Sequence, residues 1–508
     1  MPSDISLTLI VFAPLVGALI VVALPARTDL ERFRVRTTAL FATALPLAVA
    51  IFDLLGEVGN PAQGALAQPS IDAPWLRGFF FQMDYHLGTD GLNLMLLFAV
   101  TVVFPALVLA SWRQRQRPRS HFALLLLTEV GLAGTMATQD LLLLVVFFWM
   151  PVLPLALLVG QGQHPRAAEA ARRVLVSQSL GSAALLLAAL LVLLRTGNTT
   201  FNFTTLSTVT PLQGAPGLVV AALLLFAFGS RLAVFPLQRW LVGGLEAAST
   251  PVAMLLVLSS VPVGTYGLVR VLLGIDPRGA LQLVLPILAL ALVTLYWSAL
   301  AALGARDVRR ATASLLVGVG GPVLLGVITF SETSLSGALW LGFATGFFGP
   351  LLVLVTGAVA ERGGEGSLAR LAGRAGGANR LRLLYVCAAA GLVGVPFLVG
   401  FPGLFQVLVG SFAQHRFVTA LVVAGMALLA VAAWRVGAAL FWGGPEDEAE
   451  VERVSDARGS EFYAGWWLAA AIVVFGLTAG YFIPYTVHGT DLVAARVSSL
   501  APAKVPGK

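Results

Sequence analysis

Four ionisable side chains lie within or at the ends of long apolar stretches: Glu129, Arg231, Glu246 and Arg435. In surroundings of low dielectric such groups are costly, and those that persist pair with one another, bind backbone carbonyls or take part in ion movement. Arg231 is followed by Pro236, and a second apolar stretch holds Pro396 and Pro402. Proline removes a backbone donor and breaks a helix. Inside a bilayer, freed backbone is tolerated only where it is buried in protein or lines a cavity. A charge beside a broken helix is the pattern that transporters use for their ion path; a packing kink is the other reading, and proline by itself does not separate the two. Each charge also has a structural reading. Glu129 can be a protonated or arginine-paired structural carboxyl, Glu246 an interfacial group between two spans, and Arg435 a side chain that snorkels to the interface. Arg231 requires an anion or carbonyls, and Glu129 is the partner expected for it.

The elements that would position these groups are membrane helices. Of the 508 residues, 58% are hydrophobic and 11% charged, and the mean hydropathy is +0.89. No soluble domain has such a composition. A span needs about 20 apolar residues, and about fourteen such windows follow one another, from 6–24 to 463–484. The windows are continuous rather than alternating, which excludes a β-barrel and predicts an all-α polytopic membrane protein. The first window lacks a basic leader and a cleavage site, so it reads as a retained helix. Cys387 is the single cysteine; one thiol cannot hold an iron–sulfur cluster or a cysteine-based zinc site. His86, His121, His164, His415 and His488 are scattered, with no metal-ligand spacing.

The net charge of +7 comes from arginines clustered in alternate loops: Arg27 to Arg36, Arg113 to Arg119, Arg166 to Arg173, Arg306 to Arg310 and Arg362 to Arg382. That alternation is the positive-inside pattern and places both termini on the non-cytoplasmic side; it argues against a nucleic-acid surface. Residues 1–360 read as a core of eleven helices, 361–382 as a flexible Gly- and Arg-rich cytoplasmic linker, 383–485 as three further helices, and 486–508 as a non-cytoplasmic tail. The segment from Gly56 to Asp90, with Pro61, Pro69, Pro74 and the aromatic run Phe79 to Phe81, reads as a folded loop on the membrane surface. The acidic run Glu446, Asp447, Glu448, Glu450 and Glu452 reads as a solvated surface.

Collinear motifs then point to a family. Asp84-Tyr85-His86-Leu87-Gly88-Thr89-Asp90-Gly91-Leu92 resembles the segment that opens the third helix in antiporter-like membrane subunits of complex I. Glu129-Val130-Gly131 with Asp140-Leu141, Phe235-Pro236-Leu237 with Trp240-Leu241, Gly264 to Arg270, Asp307-Val308-Arg309-Arg310, and Gly400-Phe401 with Val409-Gly410-Ser411-Phe412 follow in the family's order. The loop before the third helix is similar to that of the subunit M (chain 4) type, and Thr250 to Leu256 to its cyanobacterial D-type form. The resemblance implies an inverted-repeat fold with broken helices 7 and 12, and membrane-arm subunits and lipid as partners. It also implies that quinone, flavin and iron–sulfur clusters reside only in partner subunits, in a bacterial inner or thylakoid membrane. Related chains serve Mrp-like cation/proton antiporters and inorganic-carbon uptake complexes, and a structural paralogue recruited to another membrane complex is a third reading.

In that family protons move between buried groups whose pKa is shifted by burial and neighbouring charge. Carried over position by position, the fifth-helix carboxylate becomes Trp149, with Met150 beside it, and the seventh-helix lysine becomes Arg231. The next histidine and lysine become Ala253 and Pro262, the tenth-helix histidine becomes Val319, and the twelfth-helix acid becomes Leu404. None of these replacements titrates near neutrality, since an arginine keeps its proton up to about pH 12. Coordinated loss of the partners predicts a subunit whose own proton path is degenerate and whose interior, from Arg231 past Val319 to Gln406, is dry.

Overall fold

The computed structural model describes residues 3–58, 70–77, 82–114, 116–196, 201–208, 214–364, 366–442 and 453–500. Phe79 to Phe81, Pro61, Pro69 and the acidic run Glu446 to Glu452 lie outside the described residues.

Two helices, α1 (Ser3–Ala23) and α2 (Asp29–Val58), precede an antiparallel hairpin, β1 (Ser70–Arg77) and β2 (Gln82–Gly88), in which Asp72 faces His86 and Ala73 faces Tyr85. The surface loop expected before the third helix is therefore partly a β-hairpin. It is tied to the helical body where Gln139 N donates to His86 O at 2.9 Å. There follow α3 (Leu94–Ala110), α4 (Pro118–Ala137), α5 (Leu141–Trp149), α6 (Val152–Gly160), α7 (Ala167–Thr196), α8 (Phe203–Thr208), α9 (Gly214–Arg231) and α10 (Arg239–Ala247). The central elements are α11 (Thr250–Leu258), α12 (Val261–Gly267), α13 (Pro277–Gln282), α14 (Val284–Gly304), α15 (Val308–Gly318), α16 (Gly320–Ile328) and α17 (Glu332–Arg362). The chain closes with α18 (Leu368–Leu371), α19 (Asn379–Val393), α20 (Gly400–Gly437), α21 (Ser460–Leu477) and α22 (Ala479–Leu500).

Among the described residues, 13 segments are long and apolar enough to cross a membrane. The sequence windows number about fourteen because 383–410 and 418–442 divide differently in the structure. The first window holds the 15-residue α19 and the start of α20, and α20 is two helices that meet at the non-helical His415 (φ −133°, ψ 44°), the second of them filling the second window. Segments Thr250–Leu273, Val308–Ile328 and Glu332–Arg362 are buried on every side. A helix that is apolar all round belongs at the centre of a bundle, and α17 fills that place, packing on α11, α19, α20, α21 and α22.

Two expectations about connections are corrected. Residues 361–382 are docked rather than a flexible linker: Gly373 N and Ala375 N donate to Ala439 O and Leu440 O, Val454 N donates to Arg374 O, and Leu371, Ala375 and Ala378 are buried. Of the segment expected as a tail, residues 486–500 are helical. They continue α22, where Thr486 and Ser336 share a 2.7 Å hydroxyl contact, Thr490 donates to Glu332 O, and Arg496 donates to Gly274 O. Backbone and side-chain partners supplied by neighbouring helices decide that both segments pack.

Candidate functional site: the helix breaks around Arg231

Helix α9 stops at Arg231 because Ala233 takes a left-handed conformation (φ 57°) and Pro236 has no N–H to offer the preceding turn. The seven residues from Leu232 to Gln238 are non-helical before α10 resumes. Neighbouring segments satisfy the freed backbone. Trp240 Nε1 donates to Ser230 O at 2.8 Å, Ser260 Oγ donates to Arg231 O at 2.6 Å, and Phe235 N donates to Thr294 Oγ1 at 3.1 Å. Ser260 can reach because the chain is itself interrupted between α11 and α12, at Ser259-Ser260. A third interruption, Val319 between α15 and α16, lies beside the first: a methyl group on Gly320 would contact Leu232 and Thr294 at 3.6 Å. Gly264 permits this gathering, since a Cβ there would stand 2.6 Å from Leu232 N. A separate non-helical stretch, Gly394 to Val399, joins α19 to α20 and contains Pro396; Pro402 lies in the first turn of α20.

Arg231 is fully buried. One terminal nitrogen donates to Phe148 O at 2.6 Å, and the guanidinium carbon stands 4.5 Å from the centroid of the Phe148 ring. A backbone carbonyl and an aromatic face each attract a cation without accepting its proton. The expected pairing with Glu129 does not form: among the described residues no ion pair joins them, and both Glu129 carboxyl oxygens are buried without a hydrogen-bond partner. The carbonyl that holds Arg231 belongs to α5, not to the residues freed at Pro236. Nε and the second terminal nitrogen of Arg231 have no partner, nor do the side-chain amide atoms of the buried Gln178 on α7.

Positions expected to have lost titrating groups divide. Ala253, Pro262, Val319 and Leu404 are buried, as an interior path requires. Trp149 is not; it is 39% exposed, in line with Val146, Leu153 and Leu157 on the outer face. Phe148, one residue earlier, is the inward residue. The run Leu141 to Trp149 is uniformly apolar, so the sequence carries no polar side from which the phase of this helix could be read. Leu404 packs against the turn at Gly394, where a methyl group would lie 2.8 Å from Leu404 Cδ2. Gln406 Nε2 donates to Pro402 O at 3.2 Å, one turn back, and its Oε1 has no partner.

The remaining charges are not gathered at this site. Glu246, on α10, stands 3.7 Å from Arg310; burial raises its pKa, and Arg310 opposes the rise. Arg435 is a helix cap. Its terminal nitrogens donate to Ala302 O and Ala305 O at 3.3–3.4 Å, at the C-terminus of α14, where unsatisfied carbonyls favour a cation. Two large cavities open outside the centre. One of 1320 Å³ is bordered by Arg166, Glu246, Arg306 and Arg310, and one of 960 Å³ by His86, Asp90, Arg270 and Tyr485; neither is lined by Arg231, Glu129, Pro262, Val319 or Leu404. The arrangement holds a fixed positive charge between three helix breaks, and the groups that touch that charge do not titrate.

Comparison with known proteins follows the same lines. The model of a family described as NADH:quinone oxidoreductase/Mrp antiporter, transmembrane, matches residues 138–430. NAD(P)H-quinone oxidoreductase chain 4 1 of Picosynechococcus sp. is 25% identical over 98% of this chain and 93% of its own length. NADH-quinone oxidoreductase subunit M of Rhodobacter capsulatus is 25% identical over 97% and 96%. A chain of respiratory complex I from Thermus thermophilus superposes with a TM-score of 0.86, at 26% identity over 98% of this chain and 100% of that one. A chain of the Mrp complex from Dietzia sp. shares the fold, with a TM-score of 0.77 at 20% identity, and this chain covers 52% of it.

Proposed function

Because the chain belongs to the NADH:quinone oxidoreductase/Mrp antiporter family of membrane subunits, we propose that it is a membrane-arm subunit of a complex I-like assembly, of the M or chain 4 type, in which it serves as scaffold while its own proton path is retired. Two full-length relatives are of that type. The observation that carries the second half is Arg231, held by the Phe148 carbonyl and ring. A relay needs groups that take up and release a proton within the working pH range, and this contact set has none. Quinone, flavin and iron–sulfur clusters belong, on this reading, to partner subunits, and electron transfer there supplies the driving energy.

The test is Arg231→Met in the assembled complex. The expected result is unchanged proton translocation per quinone reduced, with reduced stability or assembly of the subunit. Loss of translocation in a fully assembled complex would overturn the reading, as would a resolved chain of waters from Arg231 past Val319 to Gln406. Co-purifying chains separate the alternatives: quinone-reductase subunits support the proposal, whereas antiporter or carbon-uptake subunits would replace it.

The arginine clusters support an orientation with both termini, the hairpin and α22 on the non-cytoplasmic side of a bacterial inner or thylakoid membrane. Cysteine labelling of Arg117→Cys is expected only from the cytoplasmic face.

A further inference from the structure

The 1320 Å³ cavity on the arginine-rich face leads towards the interior at Arg309. A second, small cavity of about 10 Å³ is lined by Thr250, Ala253, Arg309, Thr312 and Thr356, with apolar neighbours. Arg309 is the single residue common to both linings. Its guanidinium is fixed from two sides: one terminal nitrogen donates to Ala248 O at 2.7 Å and the other to Glu361 Oε1 at 3.0 Å. The same carboxylate oxygen accepts from Thr250 N at 3.2 Å and Thr250 Oγ1 at 2.6 Å. One ion pair thus laces the end of α10, the start of α11, the start of α15 and the end of α17. The backbone that carries Arg309 is pinned as well, because Asp307 Oδ1 accepts from Arg309 N and Arg310 N.

We propose that Arg309, clamped by Glu361 and the Ala248 carbonyl, is a closed gate between the polar vestibule and the buried cavity at Ala253. A fixed guanidinium that borders both spaces repels cations. The space behind it is at the lower limit for one water, about 10–15 Å³, and three threonine hydroxyls line it, so removing the gate would let water in. The gate concerns access from one face only. It is read by labelling and the Arg231 reading by proton translocation, so either can fail alone.

The experiment uses the full chain in membranes, in a Cys387→Ser background, with a small methanethiosulfonate reagent. Gln163→Cys, on the vestibule wall, is the accessible control, and Ala253→Cys reports the buried cavity. With Arg309 present, Ala253→Cys should react far more slowly than Gln163→Cys. Adding Arg309→Ala should raise the Ala253→Cys rate by about tenfold or more, the factor that follows from losing one charge-assisted hydrogen bond, while the control rate stays constant. Glu361→Gln keeps an acceptor for Thr250 and removes only the charge, and should raise the rate by a smaller factor. It carries the test if Arg309→Ala does not accumulate. Ala253→Cys that reacts as fast as Gln163→Cys with the gate intact, or a rate unchanged in the gate variants, would overturn the proposal.

Discussion

Polar residues at the helix ends and polar residues buried within the bundle are treated differently by this fold. At the ends, Asp90 Oδ1 accepts from Leu92 N while the other oxygen meets Arg270, Asp140 Oδ1 accepts from Leu142 N and Leu143 N, and Asp307 Oδ1 accepts from two backbone amides. Inside the bundle, among the described residues, Glu129 in mid-α4 has no partner for either oxygen, Arg231 at the end of α9 lacks one for two of its nitrogens, and Gln178 in mid-α7 lacks any. The first set consists of motif residues that this chain keeps; of the second, Glu129 is also a motif residue, and Arg231 stands where the family resemblance implies a lysine. What finds partners is what the architecture uses: caps that satisfy orphan amides and a clasp between the turn before α3 and the π-helical segment Leu268–Leu273 that follows α12.

The largest effect expected from this contrast is at the Asp90–Arg270 clasp, whose side chains are 32% and 14% exposed. Removing one partner of a largely buried pair strands the other, and Arg270→Met should lower unfolding stability in detergent by roughly 2–3 kcal/mol. A cost no larger than that of Arg231→Met would break the comparison. Next comes Asp307→Ala, which removes a helix cap and should cost about 1–2 kcal/mol; the same denaturation series measures it, and a neutral result would mean that the retained motif is not structural.

Asp276 extends the contrast to pH. It caps α13 through Gly279 N at 3.0 Å, and burial pushes its pKa up to about 6 from an ordinary 3.8, against the lowering effects of that bond and of Arg496. A carboxyl whose pKa is raised on folding binds its proton more tightly in the folded state, so its contribution is most favourable at low pH and is lost as pH rises from about 4 through 6. Thermal stability measured across that window should fall less with rising pH in Asp276→Asn than in the native chain; parallel curves would remove Asp276 as the cause. The smallest effect is expected at Arg231→Met, about 1 kcal/mol, because the lost carbonyl bond is offset by removal of two donors buried without partners. Proton translocation measured on the same preparation should not change.

Much of the architecture was legible in the chain because a bilayer imposes a length and a composition on every span. Two of the breaks were legible too, since Pro236 and Pro396 act locally on φ and on a missing N–H, whereas Pro402 falls in the first turn of α20 and the interruptions at Ser259-Ser260 and Val319 carry no such mark. Other features were not. The inward residue of α5 is Phe148 rather than Trp149 because nine consecutive apolar residues carry no phase, and only packing against α4 and α9 sets one. The partner of Arg231 is a carbonyl 83 positions away in sequence, and no pattern of residue types marks a carbonyl. Arg309 reads in sequence as one of a cluster of loop arginines; its place between two cavities depends on Glu361 and Ala248 arriving from other helices.

By itself, the sequence determined that this is a helical membrane protein of the antiporter-like family and where two of its helices are interrupted. Those properties follow from residue type and from interactions a few residues long. Only the tertiary structure decided which buried polar atoms meet: Arg231 with Phe148, Arg435 with the end of α14, Arg309 with Glu361, and Glu129 with nothing among the described residues. Hydrogen bonds and ion pairs act over a few ångströms, so a shift of one residue in helix phase changes every partner while leaving the hydrophobic pattern intact.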